Sequence, residues 1–124
     1  MILSGNEILH VVRRTEAWKA SGEFDPNKLL HRPAISITPF DQAALNPHSY
    51  NLRLGPTLVV YLNGDLQRGG LDMRRDNATS EIEIPEDGML LHPGRIYLGS
   101  TVERISAYGL APKIDGRSSI GRLG

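Results

Sequence analysis

Between Asp115 and Arg122 the sequence reads Asp-Gly-Arg-Ser-Ser-Ile-Gly-Arg, its densest run of side chains able to do chemistry. Gly116 and Gly121 let backbone approach a ligand closely. Ser118 and Ser119 put adjacent hydroxyls within reach of phosphate oxygens or a water. Arg117 and Arg122 can each grip a phosphate through parallel N–H bonds. Successive N–H groups in such a turn can also line a concavity for an anion. The chemistry on offer is recognition of a small phosphorylated molecule. The same residues would equally serve as a solvated turn leading into a strand.

Other polar clusters offer less. His10, His31, His48 and His92 are scattered, with no pair at metal-ligand spacing and no His-Glu-x-x-His run. They are expected to be structural or surface histidines. Glu81, Glu83 and Glu86 fall on an alternating strand, where carboxylates form a solvated face. Phosphate loops, dinucleotide fingerprints and Gly-x-Ser-x-Gly elbows are absent from the sequence. There is no cysteine, which removes disulfides, thiolate metal sites, a cysteine nucleophile and the Pro-Cys-x-x-Cys signature of zinc-dependent nucleobase deaminases. Fourteen basic and fourteen acidic residues give zero formal charge, against a nucleic-acid polymer as partner. A small anion needs only a few local cations. The N-terminus lacks a signal peptide's basic flank and apolar stretch. The longest apolar run, Leu58 to Leu62, is far short of the ~20 residues that span a bilayer. The expectation is a soluble cytoplasmic protein without membrane contact.

These residues need a scaffold. A chain of 124 residues, 40% hydrophobic and 23% charged, suits a single domain over residues 1–124. Ser4 with Glu7 three residues later reads as a capping box. Ile8, Val11, Val12, Thr15 and Trp18 then recur at helical spacing, and Gly22 is a stop, which predicts a helix over 4–21 with Trp18 in its core face. From 34 to 124 the chain reads as β. Ile35–Ile37 and Tyr50–Leu54 alternate, and Thr57–Leu62 reads as a buried strand closed by Asn63-Gly64. Glu81–Ile84 alternates again. Asp87-Gly88 turns into Met89–Leu91, and Pro93-Gly94 turns into Arg95–Leu98. Residues 64–80 read as loop, with room for one short strand. Short strands between turns at this spacing predict an antiparallel barrel or sandwich.

Three segments resemble the dCTP deaminases of the dUTPase superfamily. Asn46-Pro-His-Ser-Tyr-Asn-Leu-Arg-Leu54 resembles their first motif. Leu91-His-Pro-Gly-Arg-Ile-Tyr-Leu-Gly-Ser-Thr-Val-Glu103 resembles their central strand pair. Gly116-Arg-Ser-Ser-Ile-Gly-Arg-Leu-Gly124 resembles their substrate-binding motif. The resemblance implies a mainly β fold, a distorted antiparallel dUTPase-like barrel behind an N-terminal helix. Its last strands are expected beyond Gly124, so the domain is incomplete at its C-terminus. It also implies a homotrimer with active sites between subunits.

The implied reaction is zinc-independent hydrolytic deamination of dCTP to dUTP and ammonia. On this resemblance Ser118 helps hold the attacking water and Arg122 supports the reacting centre. Arg117, Ser118 and Ser119 bind substrate. Magnesium rides on the triphosphate, with no metal site on the protein. The family's catalytic glutamate matches no residue here, and Glu103 is not assigned that role. The expectation is that the 124-residue chain alone is inactive. Asn51 stands where the superfamily often has aspartate, which weighs against triphosphate cleavage. The alternatives are a bifunctional enzyme forming dUMP, a plain dUTPase, or a non-catalytic nucleotide-binding or assembly module.

Overall fold

The computed structural model describes residues 2–27, 32–62, 71–72, 74 and 76–122. Two compact units are formed, Met1–Asn51 with Arg104–Gly124, and Leu52–Glu103. The first holds helix α1 (Gly5–Ser21), strands β1 (Ala34–Thr38) and β5 (Arg104–Tyr108), and the short helix α2 (Ser118–Gly121). The second holds β2 (Leu54–Tyr61), β3 (Thr79–Glu83) and β4 (Tyr97–Thr101). The class expected from sequence, mainly β and antiparallel behind an N-terminal helix, is the class found. The described strands form two open sheets, ordered β1-β5 and β3-β2-β4.

Helix α1 starts and stops where its caps dictate. The Ser4 hydroxyl accepts from the Glu7 amide at 3.3 Å, and the Glu7 carboxylate accepts from the Ser4 amide at 2.7 Å. Gly22 takes φ 75°, a left-handed conformation that costs glycine little, and its N–H closes onto the Lys19 carbonyl. Val11 and Val12 pack with Ile35 and Ile37 of β1, and Leu3, Ile8, Phe40, Tyr50 and Leu110 close around them. Full burial of each such aliphatic side chain is worth about 1.5–3 kcal/mol. Thr15, fully buried, donates its hydroxyl to the Val11 carbonyl at 2.7 Å and accepts the Ile35 N–H at 3.2 Å. β1 pairs antiparallel with β5, from Ala34 opposite Tyr108 to Thr38 opposite Arg104.

Several expectations are corrected. Ile35–Ile37 does not alternate in burial; Ala34 through Ile37 are all buried. Ser36 is enclosed because the Lys19 ammonium reaches its hydroxyl. Trp18 is half-buried and not a core residue, since its ring meets guanidiniums instead, Arg14 at 4.9 Å and Arg32 at 5.8 Å from the centroid. Tyr50–Leu54 is not one strand. Tyr50 makes an isolated bridge to Leu45, and β2 begins at Leu54. Between them the Asn51 N–H bonds the Ala44 carbonyl and the Arg53 N–H bonds the Glu103 carboxylate, so these amides are held outside any strand ladder. Met89–Leu91 is not a strand either, and the ladder resumes only at Tyr97. The Asn63-Gly64 turn and most of the 64–80 loop lie outside the described residues.

In the second unit β2 is central. It pairs with β3 from Thr57 opposite Glu83 to Tyr61 opposite Thr79. On its other side the register with β4 slips between Leu54 and Leu58. Pro56 falls within the slip and has no N–H to give a ladder. Its carbonyl is used by the Ile84 N–H at 2.8 Å. Leu58 and Val60 are buried. Gly99 of β4 leaves room for Leu54 and Leu58, whose methyls would sit 2.7 and 3.1 Å from a Cβ there. Glu81, Glu83 and Glu86 are exposed, as a solvated face requires.

The N-terminus of α1 is seated on the Asn46–Ser49 turn. Gly5 donates to the Pro47 carbonyl at 2.8 Å, and a Cβ on Gly5 would collide with the Asn46 carbonyl oxygen. Backbone, not a flexible side chain, would have to give way. Gly5→Ala is therefore expected to destabilise the fold by about 1–3 kcal/mol, as overpacking does. Ser4→Ala, which removes only the cap, should cost about 1 kcal/mol. Urea unfolding of both variants checks this order; an alanine at Gly5 that costs less than the one at Ser4 would contradict the close approach.

Candidate active site

The residues singled out from the sequence come together on one helical turn. Arg117 is the extended N-cap, with φ −83° and ψ 132°. Its carbonyl accepts from the Ile120 and Gly121 amides, both at 3.0 Å. The Arg122 amide bonds the Ser118 carbonyl at 3.1 Å, and Arg122 keeps helical angles. Residues four apart on a helix share a face. Ser118 and Arg122 are so related, while Ser119 is turned about 100° away. Arg117, preceding the helix, sits at the start of the turn. This geometry separates a serine–arginine pair from the other two polar side chains.

All four side chains are exposed. Among the described residues none of them makes a hydrogen bond or ion pair. Their charges and donors are thus unspent and available to an anion. The approach to the turn is stiffened by Asp115. Its carboxylate accepts from Lys113 at 2.9 Å and from the Gly116 amide at 2.9 Å. The Lys113 hydrogen bond, then the Gly116 amide, hold the Asp115 carboxyl below the usual aspartate range. Lys113 also offsets a negative charge that would otherwise oppose an anion beside Arg117. The sequence pattern did not signal a helix here, because Ser-Ser-Ile-Gly contains no strong helix former.

The histidines form no site of their own among the described residues. His10, His48 and His92 are exposed, and His31 lies outside the described residues. Among the described residues no three histidine, aspartate or glutamate side chains are grouped so as to hold a metal ion.

Among the described residues the most strongly organised charge is one to which the sequence assigns no catalytic role. The side chain of Glu103 is 1% exposed and binds the Arg53 Nε at 2.7 Å. Its second oxygen accepts the Arg53 amide at 2.9 Å. The Val102 N–H bonds the Arg53 carbonyl at 3.0 Å, and the Thr101 hydroxyl donates to the Glu103 carbonyl at 2.7 Å. Arg53 itself is 59% exposed at its side chain. The Arg53 side chain, then its amide, hold the Glu103 carboxyl below the usual glutamate range. The partners are 50 residues apart, so linear spacing carries no signal of them.

A family model described as dCTP deaminase-like matches residues 22–124. A "dCTP deaminase, dUMP-forming" of Clostridium beijerinckii is 44% identical over 124 residues, all of this chain and 58% of the relative. Proteins of the same description from Hathewaya histolytica and Leptospira biflexa are 50% and 49% identical over 90 residues, 73% of this chain and 49% of each relative. The chain thus spans about half the length of these relatives.

The Glu103 pair has a defined pH signature. Its folded pKa is depressed, so its stabilisation is complete above the ordinary glutamate value of about 4.3 and is lost as pH falls through the lower folded value. Glu7, Asp72 and Asp115 are depressed too and share the acid limb. Glu103→Gln should lower Tm at neutral pH and flatten its decline on acidification. Thermal melts between about pH 3 and 7 read this; an unchanged acid slope would show that the pair contributes nothing to it.

Proposed function

Because the chain belongs to the dCTP deaminase-like family, we propose that it forms part of an enzyme that hydrolyses dCTP to dUMP, ammonia and diphosphate. The observation that carries this reading is the pairing of Ser118 with Arg122 on one face of an exposed turn that Arg117 opens. Two waters are consumed. One adds to C4 of cytosine, whose C–N bond then breaks to release ammonia. The other cleaves the bond between the α- and β-phosphates. The relatives' shared description supports dUMP as product. The release of dUTP remains the second reading, favoured by Asn51 at the position often held by aspartate in the superfamily.

The roles follow from which atoms change charge. The triphosphate keeps its charge during deamination, so the groups holding it act equally on ground and transition states. Arg117 and Ser119 take that part. The attacking water changes its bonding, so a fixed hydroxyl beside it acts chiefly on the transition state. Ser118 takes that part, with the Arg122 guanidinium on the same face to steady developing negative charge. No cysteine is present for a thiolate zinc site. Magnesium would ride on the substrate's phosphate oxygens, which with waters suit a hard cation, and no protein ligand is assigned to it. An exposed turn has few walls of its own, which supports a site completed by a neighbouring subunit of a homotrimer. The cytoplasm, where deoxynucleotides are metabolised, is the proposed location.

Product analysis by ion-exchange chromatography tests the reading on the full-length protein. Equal yields of dUMP and diphosphate from dCTP support it; accumulation of dUTP selects the second reading, and absence of turnover with retained nucleotide binding selects a non-catalytic module. Kinetics then separate the roles. Arg117→Ala is expected to raise KM, a loss of roughly 2–3 kcal/mol for a charge-assisted bond. Ser118→Ala is expected to lower kcat by about 10²-fold, as loss of a preorganised donor does. The reverse pattern would exchange the phosphate site and the reacting centre.

A further inference from the structure

A second cationic cluster in the first unit is used by none of the above. Trp18, the sequence's one tryptophan, has the Arg14 guanidinium 4.9 Å and the Arg32 guanidinium 5.8 Å from its ring centroid. Cations over an indole are held by its ring quadrupole. Neither arginine is ion-paired among the described residues; the ion pair nearest in sequence is Glu16 with Lys19. Arg14 is committed to this position at a cost. One terminal nitrogen donates to the Pro33 carbonyl at 2.6 Å, while its Nε is the one buried side-chain polar atom without a partner among the described residues. Such orphans in a native fold call for an explanation. Its other terminal nitrogen has no bonding partner and is not buried. Arg32 is exposed.

We propose that Arg14 and Arg32, braced by Trp18, form a second anion site that takes a diphosphate group, free or within a nucleoside polyphosphate. A guanidinium fork matches one phosphoryl group bidentately, so two forks beside one ring match two linked phosphoryl groups better than one. A carboxylate offers only one such pair of oxygens. The one indole carries both cations, at 4.9 and 5.8 Å from its centroid, and a bound diphosphate would offset their mutual repulsion. The site shares no residue with the Arg117–Arg122 turn, so it stands whether or not that turn is catalytic.

Trp18 reports on its own site. Titration of the full chain with sodium diphosphate should change its fluorescence saturably, and inorganic phosphate should bind more weakly. Arg32→Gln, an exposed change that leaves Arg14 in place, should weaken diphosphate at least about tenfold, the loss of one charge-assisted contact. Arg117→Ala should leave this titration unchanged. A parallel titration with dUTP distinguishes the sources: tighter binding than free diphosphate assigns the site to nucleotides, equal or weaker binding assigns it to diphosphate itself. No saturable change, equal affinity for phosphate and diphosphate, an unaffected Arg32→Gln protein, or a signal abolished by Arg117→Ala would each overturn the proposal.

Discussion

The hydroxyl of Thr15 decides how the first unit is put together. A strand with a ladder partner on one side only turns alternate amides away from that ladder, and where that side is buried they need another acceptor. The Ile35 N–H is such an amide, and Thr15 accepts it from a fully buried position. The same hydroxyl gives its proton to the Val11 carbonyl one turn back. With that amide satisfied, β1 can bury both of its faces, and its free edge can pair with β5. The chain then runs from β5 through Asp115 to the turn bearing Arg117, Ser118 and Arg122. Valine at this position would keep the shape and strand the amide.

What the sequence disclosed depended on how local the cause was. The limits of α1 were legible because Ser4, Glu7 and Gly22 act within one turn of themselves. The buried run Thr57–Leu62 overlapped β2, though burial alternates along it and Leu62 is exposed. Failures came where distant partners intervene. Ser36 looked like a polar outward residue until Lys19, 17 positions earlier, closed over it. Trp18 looked like core because periodicity places a residue on a face but does not say that two arginines will occupy its ring. Arg53 looked like the polar side of a strand, and nothing within reach of a sequence window names Glu103 as its partner.

The candidate site shows the same division. The residue types and order between Asp115 and Arg122 pointed to a phosphorylated ligand, and the fold gathers them on one turn. The sharing of a face by Ser118 and Arg122 was not legible, because the segment carries no helical signal of its own. Its i→i+4 bond exists only once the backbone coils. The two arginine sites also differ in kind. Among the described residues the Arg117 and Arg122 side chains make no hydrogen bond, ion pair or ring contact, whereas Arg14 and Arg32 are braced against an indole.

Among the described strands β3 lies at the edge of its sheet, and an edge strand can template its own kind. Here that edge reads Thr-Ser-Glu-Ile-Glu, with Glu81 and Glu83 both exposed. A second copy offering the same strand would bring like charges face to face. Like charge on this face opposes such pairing, as gatekeeper residues beside a hydrophobic strand do. This protection is conditional on the range of the field: it weakens in strong salt, where the repulsion between like charges is screened.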